Sequence, residues 1–262
     1  MESQPSKSPI KQEPLRQPGQ YLDERFEQIM DGRFTGYVLA SGFMIFYALM
    51  EWVHWVFKTP PAPVFTTILA IAVTAFSWWR LRKVLQDLRQ LRRGSQGEKV
   101  VGQMLETLRA DGYQVFHDIP CKSGDRKFNI DHVIVGPQGT FTIETKTKSK
   151  PMRGSVEVVF DGEKITANGW TPERDPVVQA KAEYKWLHDM LQNSTGRSFW
   201  IQPVILYPGW YVRENTQETS VWVLNPDRLR KKIQAQQKRL KPEDIALIAD
   251  RIAVHVRSCD PH

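Results

Sequence analysis

Two long apolar runs dominate the first third of the chain. The first covers residues 35–57 and the second residues 64–79, and a short proline-bearing segment with Lys58 separates them. About 20 consecutive apolar residues are needed to span the hydrocarbon core of a bilayer as a helix. We therefore predict a transmembrane helical hairpin within residues 35–79, preceded by a largely disordered tail over residues 1–34.

A basic segment follows the second apolar run. Residues 80–93 contain six Lys or Arg residues and one acid, Asp87. Because such a flank stays on the cytoplasmic side, we expect a two-pass protein of the inner (cytoplasmic) membrane, of a bacterial type, with both termini in the cytoplasm. Glu51 and His54 lie beside the outer turn and are expected to reach the lipid headgroups.

The basic segment also carries an apolar stripe at helical spacing. Two interpretations stay open: a short parallel coiled coil, which would allow a homodimer, or an amphipathic helix lying on anionic lipid. The segment over residues 80–94 is expected to be a juxtamembrane helix in both cases. Its apolar residues are Leu81, Val84, Leu85, Leu88 and Leu91.

From about residue 95 the pattern alternates between helical and strand spacing. Helices are predicted over residues 95–110 and 176–192, and after Pro226 and Pro242. Strands are predicted over residues 113–118, 130–135, 140–145, 155–160, 164–167, 199–206 and 220–224. The sequence therefore predicts an α/β domain over residues 95–262, with a mixed sheet flanked by helices and a C-terminal helical extension.

One predicted hairpin places two carboxylates close together. Its strands are joined by residues 136–139, which have turn composition, and counting back from the turn sets Asp131 opposite Glu144. Lys146 shares a face with Glu144, because strand side chains alternate. Two like charges at this spacing destabilise the sheet unless a cation lies between them. That cation could be Lys146, a divalent metal ion, or both.

Two helical residues could join this hairpin. Glu98 continues the apolar stripe of the helix predicted over residues 95–110 by one step toward the N-terminus, which would put a carboxylate on the buried face. Residues 95–98 also match a capping box, in which Glu98 would only bond back to the start of the helix. Gln179 heads the apolar face of a later helix, where a glutamine is often just a polar end to a core face. His132 points away from Asp131 and is expected to be packed.

Taken together, these motifs closely resemble the nuclease-related domain (NERD), which is assigned to the PD-(D/E)XK nuclease superfamily. The resemblance covers about residues 94–206 and implies a restriction-endonuclease-like fold. Its elements are Gly97-Glu98, Asn129-Ile130-Asp131-His132 with Gly136 and Gly139, Ile143-Glu144-Thr145-Lys146, and Asp175-Pro176 followed by Gln179.

The resemblance also implies roles for individual residues. Asp131, Glu144 and Glu98 would bind Mg²⁺ or Mn²⁺, hard ions that prefer carboxylate oxygen. Lys146 would orient a metal-bound water and offset charge in the transition state. Gln179 would contact the phosphate backbone or the metal shell.

The function expected from this resemblance is a membrane-anchored, metal-dependent nuclease that hydrolyses phosphodiester bonds of DNA or, with less support, RNA. A net charge of +7 and a pI near 9.4 suit an anionic partner. The alternatives are an inactive nucleic-acid-binding module and a membrane scaffold. Seven basic and aromatic residues could hold substrate collectively, although each one singly fits a solvated face or an ordinary core aromatic better: Lys122, Arg126, Lys127, Lys148, Lys150, Trp170 and Trp210. The two cysteines, Cys121 and Cys259, lack zinc-site spacing.

Overall fold

The computed structural model describes residues 15–58, 63–147, 157–167, 175–214 and 220–259. They divide into two compact units. The helical unit is Tyr21–Ser95, and the sheet unit comprises the described parts of Met1–Gln20 and Gln96–His262. Lys148, Lys150 and Trp170 lie outside the described residues.

The helical unit contains the two predicted apolar helices. Its helices are α1 (Gln20–Ile29), α2 (Thr35–Val56) and the part of α3 (Pro63–Glu106) up to Ser95, and a π-helical turn, Met30–Phe34, joins α1 to α2. Residues 20–34 are therefore helical, and the prediction of a largely disordered tail is wrong for them. Both apolar stretches are long and apolar enough to cross a membrane.

Side-chain contacts pair α2 with the first half of α3 as an antiparallel hairpin. At one end, Trp52 Nε1 donates to Thr67 Oγ1 at 3.0 Å. At the other end, Arg80 Nε donates to the Tyr37 hydroxyl at 3.1 Å. Large apolar side chains of α2 face outward, with Phe43 67% exposed. Such exposed apolar surface suits contact with lipid rather than water.

No helix begins at Ser95, because α3 runs without a break from Pro63 to Glu106. The Ser95 hydroxyl donates to Asp23 Oδ1 at 2.6 Å instead of capping a helix end. The capping-box interpretation of residues 95–98 is therefore wrong. A single glycine such as Gly94 costs a helix only about 1 kcal/mol, which good helix formers on both sides outweigh.

The sheet unit contains two sheets and most of the predicted elements. The larger sheet has the strand order β1-β2-β3-β6-β8, and the smaller has the order β5-β4-β7. The strands are β1 (Gln114–Ser123), β2 (Arg126–Gly136), β3 (Gly139–Thr145), β4 (Glu157–Phe160), β5 (Ile165–Ala167), β6 (Ile201–Leu206), β7 (Tyr211–Glu214) and β8 (Trp222–Leu224). The remaining helices are α4 (Pro176–Thr195), α5 (Pro226–Gln234) and α6 (Pro242–Cys259), and a 3-10 turn, Thr107–Asp111, follows α3.

Helices cover both faces of the larger sheet. On one face, Leu105 of α3 and Leu229 of α5 pack with Phe141. On the other, Leu187 of α4 and α6 residues such as Ile252 pack in a second cluster. The predicted α/β architecture, a mixed sheet flanked by helices, is confirmed.

The sheet combines antiparallel and parallel pairing, which determines where its strand ends meet. Strands β1, β2 and β3 are antiparallel neighbours, whereas β3, β6 and β8 run parallel. Thr145, Leu206 and Leu224 are in register and therefore lie along one edge. Ligands of α/β sheets commonly bind outside the carboxyl ends of parallel strands.

Candidate active site

The β2–β3 hairpin adopts the predicted register. Strand β2 pairs with β3 from Gly136↔Gly139 through His132↔Ile143, so the next positions along the two strands are Asp131 and Glu144. Asp131 Oδ2 accepts a hydrogen bond from the Thr145 backbone N–H at 2.7 Å. This bond holds the aspartate carboxyl group beside the end of β3.

Lys146 follows β3 directly and connects the hairpin to α4. Its backbone N–H donates to the Leu206 carbonyl at 2.8 Å, which keeps the residue beside β6. Its Nζ donates to Glu144 Oε1 at 2.5 Å and to Gln179 Oε1 at 2.8 Å. The side chain of Lys146 is 29% exposed, whereas that of Glu144 is only 5% exposed. The ammonium group therefore neutralises a nearly buried carboxylate and keeps some access to solvent.

Helix α4 supplies Gln179 and a residue that the sequence analysis missed, Glu183. Asp175 caps α4 by accepting from the Val177 backbone N–H at 2.9 Å, and Pro176 occupies the first turn. Gln179 Nε2 donates to Oε1 of Glu183, which lies one helical turn further along α4, at 2.9 Å. Glu183 is only 1% exposed. The sequence signal that could have identified Glu183 is its spacing of four residues from Gln179, because side chains at this spacing face each other on a helix.

Glu98 approaches the site from α3, on the opposite side of the sheet from α4. The preceding residue, Gly97, lies so close to the end of β3 that an added Cβ would stand 1.7 Å from Thr147 Cγ2. A larger residue at position 97 would force the exposed Thr147 side chain to move. Glu98 is buried, and its charge acts on Asp131.

The carboxyl groups of the site have altered acidities. Burial, followed by the charges of Glu144 and Glu98, raises the pKa of Asp131 well above its ordinary value. Burial and then Glu144 likewise raise the pKa of Glu183 well above its ordinary value. Both groups would lose much of this penalty beside a cation.

Lys146 remains a cation in this environment. Burial acts to lower the pKa of its ammonium group, but Glu144 and then Asp131 outweigh burial, and the pKa is raised. Beside these carboxylates the group is therefore a hydrogen-bond donor and a positive charge.

The carboxylates fit a metal ion with open coordination positions. Glu144 Oε2 is buried and accepts no hydrogen bond from any described residue. Within the described ranges, no three His, Cys, Asp or Glu side chains are grouped so as to enclose one ion. Mg²⁺ is commonly held by one or two carboxylates, with waters and substrate phosphates filling the other positions.

The predicted substrate contacts divide into two groups. Lys122, Arg126 and Lys127 are exposed on the β1–β2 hairpin, which extends beyond the last β2–β3 pair toward the site edge. Trp210 is only 2% exposed, and its carbonyl accepts from Asn225 Nδ2 at 2.8 Å. Trp210 is therefore an ordinary core aromatic, and its ring does not offer a face on which a base could stack.

His132 is packed, as expected. It is fully buried, and its Nδ1 lies 2.9 Å from His117 Nδ1. His117 Nε2 in turn lies 2.7 Å from Glu106 Oε1. This chain of contacts runs on the opposite side of β2 from the carboxylates.

Comparison with known proteins gives one family and one solved structure. The family model described as the nuclease-related domain (NERD) matches residues 93–208, which confirms the resemblance found in the sequence. The crystal structure of a protein of unknown function, AF1548, is similar at 13% identity and a TM-score of 0.27, over 62% of this chain and 94% of that one. None of the curated proteins matches the chain.

Proposed function

Starting from the nuclease-related domain that this chain carries at residues 93–208, we propose that the protein is a membrane-anchored, metal-dependent nuclease. The observation that carries the proposal is the network at the end of β3. There Lys146 bonds both Glu144 and Gln179, and Asp131 lies at the adjacent position of β2. A binding module would have no use for converging carboxylates, which repel phosphate unless a metal ion is present.

The roles of the residues follow from their surroundings. Asp131 and Glu144 would hold Mg²⁺ or Mn²⁺, and Glu98 remains a predicted third ligand. When bound, the ion would lower the pKa of a coordinated water and polarise the scissile phosphate. Lys146 would donate hydrogen bonds to a phosphate oxygen that gains negative charge. Gln179 would hold the Lys146 ammonium group in place through its side-chain carbonyl.

The substrate that suits this site is a nucleic acid, and DNA is the first to test. The exposed basic residues Lys122, Arg126 and Lys127 lie on the hairpin that extends toward the site edge. Phosphate contacts of this kind supply affinity without reading sequence. The chain as a whole carries a net charge of +7, which favours a polyanion.

The chain's own contacts support a two-pass arrangement in the membrane. Residues 15–20 precede α2 but belong to the sheet unit, where Arg16 Nε donates to Asp118 Oδ2 at 3.0 Å. A segment before the first apolar helix and a domain after the second can form one unit only if both lie on the same side. The basic segment over residues 80–93 favours the cytoplasm for that side.

The test uses the full chain purified in detergent. Plasmid DNA, single-stranded DNA and RNA are each incubated with Mg²⁺, Mn²⁺ or EDTA, and Asp131→Asn and Lys146→Ala are compared with wild type. Asp189→Asn, an exposed acid on the outer face of α4, is the matched control. The proposal predicts cleavage that requires the metal, survives in Asp189→Asn and is lost in the other two variants. Binding of nucleic acid without cleavage under every metal condition would favour the inactive binding module.

A further inference from the structure

Two buried carboxylate oxygens near the end of β3 receive no hydrogen bond from a donor among the described residues. They are Glu144 Oε2 on β3 and Glu183 Oε2 on α4. Both residues are almost completely buried, with 4% and 1% of their surface exposed. A buried carboxylate oxygen without a partner is strongly disfavoured, so the two carboxyl groups need a shared proton or a shared cation.

The second oxygen of each carboxylate is already bonded. Glu144 Oε1 accepts from Lys146 Nζ at 2.5 Å, and Glu183 Oε1 accepts from Gln179 Nε2 at 2.9 Å. These two bonds fix the orientation of the carboxyl groups. The oxygens without partners are therefore held in place and are not flexible ends that could turn to solvent.

The two carboxyl groups lie against each other. Among charged groups, Glu144 acts most strongly on Glu183, ahead of Asp131. Among the described contacts of this pair, Lys146 bonds Glu144, whereas Glu183 receives only the neutral amide of Gln179. The two carboxyl groups are close enough to share a proton, and a bound divalent cation would take the place of that proton.

We propose that Glu183 is a metal ligand and that it shares one divalent cation with Glu144 through these two oxygens. The inference rests on the proposed function, since it extends that metal site to α4. Two carboxylates with water and phosphate oxygens in the remaining positions are an arrangement that Mg²⁺ and Mn²⁺ accept. Gln179 would then have a double role, because one end of its amide fixes Lys146 and the other fixes Glu183.

The test is calorimetric titration of Mn²⁺ into the full chain in detergent, without nucleic acid. Glu183→Gln keeps the acceptor for Gln179 but loses the negative charge, and it should weaken Mn²⁺ binding at least about 10-fold, the lower end for loss of a metal-site contact. Gln179→Met should weaken binding less than Glu183→Gln does, because Gln179 orients Glu183 and Lys146 but binds no metal in this scheme. Glu163→Gln, an exposed acid in the β4–β5 turn, should bind as wild type does.

Thermal unfolding supplies a second readout. In EDTA, Glu183→Gln should unfold at a higher temperature than wild type, because one of two repelling buried carboxylates is gone. Added Mn²⁺ should raise its unfolding temperature less than that of wild type, since weaker binding gives less stabilisation. If Glu183 had a merely structural role, Mn²⁺ would raise the unfolding temperature of Glu183→Gln and of wild type equally. If Glu183→Gln does not fold, Glu183→Met fills a similar volume without charge and replaces it.

The outcomes separate this inference from the proposed function. If Glu144→Gln loses Mn²⁺ binding while Glu183→Gln retains wild-type affinity, Glu183 is not a ligand, although the proposed site stands. If Gln179→Met weakens binding as much as Glu183→Gln does, Glu183 acts only through Gln179 and the inference fails. If wild type binds no Mn²⁺, both the inference and the proposed function are overturned.

Discussion

Replacement of Lys146 by methionine should show how much the stability of the site depends on the Lys146 ammonium group. The variant keeps the length and much of the volume of the side chain but loses the bonds to Glu144 and Gln179, of 2.5 and 2.8 Å. Glu144 would then be a nearly buried carboxylate without a hydrogen-bond donor on either of its oxygens. In the absence of metal ions, we expect a clear loss of stability.

The size of this loss can be worked from burial. Removing one partner of a fully buried ion pair costs about 3–5 kcal/mol. The Lys146 side chain is 29% exposed, so water already weakens the pair, and we expect about 1–3 kcal/mol. For a domain of this size, each kcal/mol lowers the unfolding temperature by about 2–4 °C, which gives a fall of about 2–12 °C.

The assay is a double-mutant cycle measured by urea unfolding of the full chain in detergent with EDTA. The cycle compares wild type, Lys146→Met, Glu144→Gln and the double variant, and Lys164→Met serves as an exposed lysine control. A coupling free energy of about 1–3 kcal/mol is expected, because each single variant breaks the same contact. A coupling indistinguishable from zero would refute the reasoning that Lys146 compensates a buried Glu144 charge.

Three further predictions concern the surroundings of the site. Gly97→Ala should destabilise the protein by about 1–3 kcal/mol and reduce cleavage, because its Cβ would clash with Thr147; unchanged urea unfolding would contradict this. Burial, followed by His117, lowers the pKa of His132 far below its ordinary value, so only the unfolded chain takes up a proton at this residue near neutral pH. When the pH falls from about 7.5 to about 5.5, the unfolding free energy of wild type should therefore decrease more than that of His132→Asn. Equal pH dependence would show that His132 is not buried as a neutral group. Burial raises the pKa of the Cys121 thiol, so a thiol reagent should modify the exposed Cys259 first, and equal rates would contradict the fold.

The sequence predicted the hairpin that forms the centre of the site because local signals fix its register. With the turn at residues 136–139, one register of the two strands buries the apolar face. A shift of one residue would move every side chain to the opposite face of the sheet. Asp131 and Glu144 therefore fall at adjacent positions of neighbouring strands, as counting from the turn predicts.

Features that depend on tertiary contacts were missed or misjudged. A serine and a glutamate three residues apart favour a helix start at Ser95, but a long helix passes through that position. Glu183 lies on the buried stripe of α4, between Ala180 and Leu187, but glutamate is rarely fully buried, so the sequence alone favours a surface position for it. Strand β7 was missed because its pairing with β4 joins distant parts of the chain.

The most direct test of the central claim is the rate at which excess full-length protein cleaves plasmid DNA in a single turnover with saturating Mg²⁺. The account predicts cleavage by wild type that EDTA abolishes and that Asp131→Asn slows by at least about 100-fold, the lower range for loss of a transition-state interaction. Cleavage by Asp131→Asn at the wild-type rate would contradict the account, since the activity would then come from somewhere other than the end of β3.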